Sequence, residues 1–291
     1  MISYIKQICT DFIYGSADDH HDEFMKYVYM NAYNPTDKCC EYLDQYDDFI
    51  GLNKINILGT IVGYKNDKLT CKFIDKYFSL PMDKINQRYV MSALFTAISY
   101  KSSAIAEILI NKISVLQKLY PEKYNIDMGT DYTGNITALY HATNIIMHET
   151  VQQLVLAGAN INWRNIRSQT PLLAICDHVI KELNGYYAVG TTIYLKDDPY
   201  INYPYINKRH YIDTIKCLVE NGADLSIIDN TGNSIYDYAQ QLIPIKNYLT
   251  TRYKNIIIDA VNYASYDNAL YMCFTRCYAI DIIDIVTKYV V

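Results

Sequence analysis

The chain alternates short apolar-faced stretches with polar turns, most clearly between Asp131 and Asn165. There Thr137 stands where a hydroxyl can cap a helix whose inner face carries Leu139 and Ala142. Val151, Leu154 and Val155 then form an apolar stripe at helical spacing. Gly158 stands where a left-handed residue ends a helix without a Cβ clash. Two helices this short cannot bury both their faces on each other, so the pattern predicts a copy of the unit on each side.

The copies are present. Gly222-Ala223-Asp224-Leu225-Ser226 repeats Gly158-Ala159-Asn160-Ile161-Asn162, and Leu218-Val219 precedes its glycine as Leu154-Val155 does. Asn165 and Asp229 each lie seven residues beyond their glycine, and Thr170 and Ser234 each lie twelve beyond. Thr137 and Thr170 are 33 residues apart, and Thr170-Pro171-Leu172 matches the opening of the T-P-L-H-x-A signature. On these residues the chain resembles an ankyrin-repeat protein. The resemblance implies an all-α solenoid of about six degenerate helix pairs, with short β-hairpin loops near residues 158–168 and 222–232 and a helical C-terminal cap.

In that frame residues 1–22 read as a capping helix and loop, 23–255 as the repeat domain and 256–291 as a C-terminal helical cap. Helices are expected over Phe24 to Tyr33, Lys38 to Tyr46, Ile57 to Tyr64 and Leu69 to Phe78, with a third unit opening at Ser92. Phe73, Leu109 and Leu154 occupy equivalent second-helix positions, the last two each 17 residues beyond Ser92 and Thr137. The spacing from Ser92 to Thr137 exceeds one period by 12, which places an insertion near residues 114–130, and a larger one of 31 residues falls near 180–210. Insertions of this kind map to loops, often on the binding face. Past Ser234 the pattern predicts a short helix from Ile245 to Arg252 and a separate one from Asn255 to Ala264. The signature histidine is replaced by Phe95, Tyr140, Leu173 and Asp237, so the hydrogen bonds with which it laces successive loops are expected to be largely absent.

Composition narrows the function classes. A content of 51% hydrophobic residues is ample for a core, and a net charge of −5 with pI near 5.7 argues against nucleic acid or an anionic membrane as partner. The N-terminus lacks a signal-peptide core and no apolar run is long enough to span a bilayer, so the eight cysteines read as free thiols in a reducing compartment. Cys273 and Cys277 have a spacing that two metal ligands use, but no second pair accompanies them; His20-His21 beside Asp18, Asp19 and Asp22 reads as a solvated turn. No metal or cofactor is expected. Cys176, Asp177 and His178 are consecutive on one helix and cannot converge as a triad, and no phosphate-binding glycine loop rises above background, so no catalytic residue is assigned.

Three stretches carry recognition chemistry. The fourth-repeat loop bears Trp163, the single tryptophan, with Arg164 and Arg167; its ring is equally suited to a partner and to covering a repeat seam. The larger insertion carries Tyr200, Tyr203 and Tyr205, side chains that give large contact area at low entropic cost, although the 31 tyrosines also reflect an A+T-rich coding bias. Tyr278 to Val290, with Asp281, Ile282 and Val286, resembles the opening helix of an F-box without its Leu-Pro start, and an amphipathic cap is the alternative. Ankyrin repeats followed by a truncated F-box-like end resemble poxvirus ankyrin proteins. That resemblance implies a viral factor acting in the host cytoplasm, with the nucleus open; the leading expectation is a monomer that binds and modulates a host protein, as inhibitor-of-NF-kappaB-like proteins do. The alternative it implies is an adaptor joining a host target to the Skp-type adaptor of a cullin ubiquitin ligase.

Overall fold

The structure, a computed structural model, describes residues 57–63, 67–129, 136–184, 186–189, 192–195 and 210–262. The expected helices before Ile57, the His20-His21 turn, Cys273 and Cys277, and the F-box-like segment lie outside them. The described residues form two units, one within Met1–Thr133 together with Leu156–Ala159, the other within Gly134–Val155 and Asn160–Val291.

In the first unit, α1 (Ile57–Gly63) and α2 (Asp67–Phe78) pair, as do α3 (Gln87–Ser99) and α4 (Ser103–Leu119). First helices pack on first helices and second on second, α1 against α3 and α2 against α4. The seams are filled by Leu58, Ile61, Phe73, Leu94, Ile98 and Leu109, all buried. Phe73 and Leu109 are each the seventh residue of their helix, in keeping with their equivalent second-helix positions.

Two expectations for this unit are corrected. Helix α3 does not open at Ser92: Asn86 caps it, its Oδ1 accepting the Arg88 N–H at 2.9 Å, and the helix runs five residues further toward the N-terminus. The segment near 114–130 is not a projecting loop. Helix α4 has 17 residues, and the chain beyond it folds back onto the start of α3. There the Tyr124 hydroxyl donates to the Ile85 carbonyl at 3.0 Å, Gln87 Nε2 donates to the Asn125 carbonyl at 3.0 Å and Lys123 Nζ donates to the Met82 carbonyl at 2.6 Å. Tyr124 and Ile126 are each 1% exposed, so the extra residues extend the core rather than decorate it.

The second unit holds α5 (Ala138–Asn144), α6 (His148–Leu156), α7 (Pro171–Leu183), α8 (His210–Glu220), α9 (Ile235–Gln241) and α10 (Ile243–Asn262). Helix α7 lies between α5 and α9 and also packs on α8. The caps are the ones the signature implies. Thr137 Oγ1 accepts the Tyr140 N–H at 3.2 Å, Thr170 Oγ1 accepts the Leu173 N–H at 3.4 Å, and Pro171 stands in the first turn, where no N–H is needed. At Ser234 the Asp237 carboxylate takes both the backbone N–H and the hydroxyl, at 2.7 and 2.6 Å. Leu139, Ala142, Val151, Leu154 and Leu218 are fully buried. Two further differences appear. The helices expected over 245–252 and 255–264 are one, because α10 runs unbroken from Ile243 to Asn262 with Pro244 harmless in its first turn. The loops at 158–168 and 222–232 turn without a strand ladder, and the strand pair among the described residues is instead β1 (Tyr186–Val189) with β2 (Thr192–Leu195), antiparallel, in the larger insertion.

Helix ends are closed by left-handed residues. Gly158 and Gly222 have φ of 84° and 98°, and Lys101 and Ile146 adopt 56° and 60° at the ends of α3 and α5. In each of the latter the following N–H reaches back to a carbonyl five residues earlier, Ser102 to Ala97 and Met147 to Ala142, at 2.9 and 3.0 Å. Glycine is absent there, so a Cβ is strained.

Two stability outcomes follow. Leu154→Ala and Leu218→Ala, each removing a side chain with no exposed area, should cost about 2–5 kcal/mol in urea unfolding. Lys101→Gly, at an exposed left-handed position, should raise stability by about 0.5–1 kcal/mol; a lower melting temperature would contradict the strain.

Candidate recognition surface

Two loops of the second unit, residues 160–169 and 224–233, lie side by side. Each is shaped by one side chain near its middle. Asn165 Oδ1 accepts the N–H groups of Arg167 and Gln169 at 2.8 and 2.9 Å, and Asp229 Oδ1 accepts those of Thr231 and Asn233 at 2.8 and 3.1 Å. The backbone closes the same way in both, Asn165 N–H to the Gln169 carbonyl at 3.1 Å and Asp229 N–H to the Asn233 carbonyl at 3.0 Å. Ser168 and Gly232 take equivalent left-handed positions with φ of 56° and 81°.

The loops are then bonded to each other. Asn162 Nδ2 donates to the Gly222 carbonyl at 3.2 Å while its Oδ1 accepts the Asp224 N–H at 2.8 Å. Asn230 donates its N–H to the Arg167 carbonyl at 3.0 Å and its Nδ2 to the Ile166 carbonyl at 3.3 Å. Four bonds of about 1 kcal/mol each fix the spacing of the tips.

The lacing expected to vanish with the signature histidine is kept by other atoms. At that place the Tyr140 hydroxyl accepts from Asn165 Nδ2 at 2.8 Å and donates to Gln169 Oε1 at 3.3 Å. Gln169 Nε2 continues to Asp177 Oδ2 at 3.4 Å, which also holds Lys181 Nζ at 2.6 Å. Burial first, and the Asp177 charge next, push the Tyr140 phenol up to about 12, so it stays protonated and able to donate. In the neighbouring loop the Tyr238 hydroxyl donates to Asp229 Oδ2 at 2.7 Å. Burial pushes the Asp229 carboxyl up, but hydrogen bonds from Thr231, Tyr238 and Asn233 outweigh it and hold the group below its ordinary range.

The surface these loops present mixes exposed isoleucines with charges of both signs. Ile166 is 74% exposed and Ile228 54% exposed, Arg164 and Arg167 are exposed, and Trp163 is half-buried, between the two readings its sequence left open. Arg164 lies close enough to Asp224 to help lower that carboxyl, after the larger effect of the Ser226 hydrogen bonds. Sequence reasoning named the tryptophan and arginines and missed the two isoleucines; their signal was an apolar residue between a glycine and the next cap, outside either helix. Tyr200, Tyr203, Tyr205, Asp281, Ile282 and Val286 lie outside the described residues.

Cys176 is fully buried, and burial, then Asp177, pushes its thiol up. His178 Nε2 pairs with Glu182 at 3.1 Å, one turn away. Among the described residues no three metal-ligating side chains cluster, and no helix is long and apolar enough to cross a membrane.

No family model and no curated protein matches the chain. It is similar in structure to the ankyrin repeat domain of Bcl-3, described as a unique member of the IkappaB protein family, at 15% identity and a TM-score of 0.42 over 65% of each chain. It is also similar to EF0377, an ankyrin repeat protein, at 19% identity and a TM-score of 0.35 over 66% of this chain and 94% of that one. The fold is the all-α ankyrin type. That assignment rests on the repeated caps, left-handed turns and inner-to-inner helix packing described above.

Asp229 supplies a pH test. Its folded pKa is depressed, so the unfolded state binds the proton more tightly; its stabilisation is complete above the unfolded value of about 3.9 and is lost as pH falls through the folded one. Asp229→Asn copies the Asn165–Tyr140 arrangement and should cost under about 1 kcal/mol at neutral pH while flattening the acid limb of stability. Asp229→Ala, which orphans several donors, should cost about 2–4 kcal/mol by urea titration. Equal losses for both variants would refute the shared geometry.

Proposed function

We propose that the chain is a protein-protein interaction protein that binds through the laced loop surface around Trp163, Arg164 and Arg167, and that it is a large-DNA-virus factor modulating a host protein. The observation that carries the binding role is the pair of loops held in register by Asn162 and Asn230, with Ile166 and Ile228 exposed on a fixed backbone. Exposed aliphatic side chains on a rigid frame lose little entropy when a partner covers them. The viral setting is supported by the A+T-rich composition and the F-box-like tail at the sequence level. Action in the host cytoplasm belongs to the same reading.

A finer form of the proposal makes the tail, through Asp281, Ile282 and Val286, the attachment to a Skp-type ligase adaptor. Affinity capture from infected cells separates the two forms. Ile282→Asp with Val286→Asp in the full chain removes ligase subunits and keeps the target if the protein is an adaptor, and changes nothing if it only binds.

Trp163→Ala tests the surface itself. Binding of the captured target should weaken by about 100-fold, roughly 2–3 kcal/mol, with a nearly unchanged melting temperature. A lower melting temperature with unchanged affinity assigns the ring to the seam between loops.

A further inference from the structure

Resting on that reading of the loop surface, we propose that its partner is a protein segment in which a carboxylate stands beside large apolar side chains, the carboxylate meeting Arg167 and the apolar groups covering Ile166 and Ile228. Charge bookkeeping on the two loops points there. They carry two arginines and two aspartates, but the aspartates are committed. Asp229 is 6% exposed and its oxygens accept from Thr231, Asn233 and Tyr238. Asp224 Oδ1 is held by the Ser226 N–H and hydroxyl at 2.9 and 2.6 Å, and Arg164 lies near it. Arg167 differs. Its backbone is used twice, N–H to Asn165 and carbonyl from Asn230, while its exposed side chain makes no ion pair among the described residues. The Arg167 backbone is fixed, so its exposed side chain starts from a set point on the loop, and the guanidinium's fork of donors matches a carboxylate.

The neighbours set the rest of the chemistry. Ile166 precedes Arg167 and its carbonyl is bonded by Asn230, two residues from Ile228, so the exposed isoleucines stand on the same joined pair of loops as the cation. A basic segment would meet Arg167 as a like charge, and a wholly polar one would leave the isoleucines in water. An acidic-apolar segment satisfies both.

The test uses the full chain, immobilised and panned against a displayed library of random linear peptides, with Arg167→Glu, Arg167→Lys and Ile166→Asp in parallel. The loop's hydrogen bonds at residues 166 and 167 come from main-chain atoms, so these variants should melt close to the parent. The parent and Arg167→Lys should enrich peptides carrying Asp or Glu next to aromatic or aliphatic residues. Arg167→Glu should enrich Lys or Arg instead and bind the parent's peptides about tenfold or more weakly, and Ile166→Asp should lose them. No enrichment, or peptides without an acidic preference, overturns the proposal. Acidic-apolar peptides lost with Ile166→Asp but kept by Arg167→Glu leave the loop surface standing and remove the charge pairing. Peptides indifferent to both variants remove the surface itself.

Discussion

A helix of seven residues spans about 10 Å and cannot hide an apolar stripe by itself; α5 and α9 have that length. Each becomes stable only by lending its stripe to a neighbour, and the contact must be made in register because Leu139, Ile175 and Ile235 have no exposed surface to spare. Everything else in the second unit serves that register. The caps at Thr137, Thr170 and Ser234 fix where each first helix starts, and the left-handed glycines fix where the chain turns away. A stack made this way is a sum of small units and interfaces, so stability is local and damage at one seam is felt first by its neighbours.

The loops solve a different problem. An amide or carboxylate at the first corner organises its own loop, and Asn162 and Asn230 then carry the order across to the next. Two chemically distinct hydrogen-bond arrangements reach the same geometry. Asn165 donates to a tyrosine hydroxyl, and Asp229 accepts from one. The proton changes sides while the heavy atoms keep their places, which explains how the repeat tolerates the loss of its signature histidine.

Much of this was legible in the sequence because it depends on residues whose roles are nearly context-free. Thr170 and Ser234, each twelve positions past a glycine, are caps, and the two glycines they follow take a positive φ. Two of the misreadings involve longer-range compensation. Ser92 looks like a cap, but α3 continues past it to Asn86 because the chain after α4 returns to cover the added turns with Tyr124 and Ile126. Tyr140 reads as a lost histidine until its hydroxyl is found beside residues 25 and 29 positions away. The exposed isoleucines had no periodicity to announce them, since a loop residue obeys neither helical nor strand spacing. Arg164 and Arg167 were visible as charges, but which of them was committed to an aspartate was not.

The backbone role of Arg167 reaches into how such a protein changes over generations. The bonds that set the loops come from main-chain atoms and from Asn162, Asn165, Asp229 and Asn230, so the exposed side chains of Ile166 and Ile228 carry little of the fold. Mutation at the two isoleucines, whose side chains are exposed, is therefore filtered more by what the surface meets than by whether the chain folds. A lineage under pressure from a shifting opponent could rewrite its specificity there one substitution at a time, without passing through unfolded intermediates.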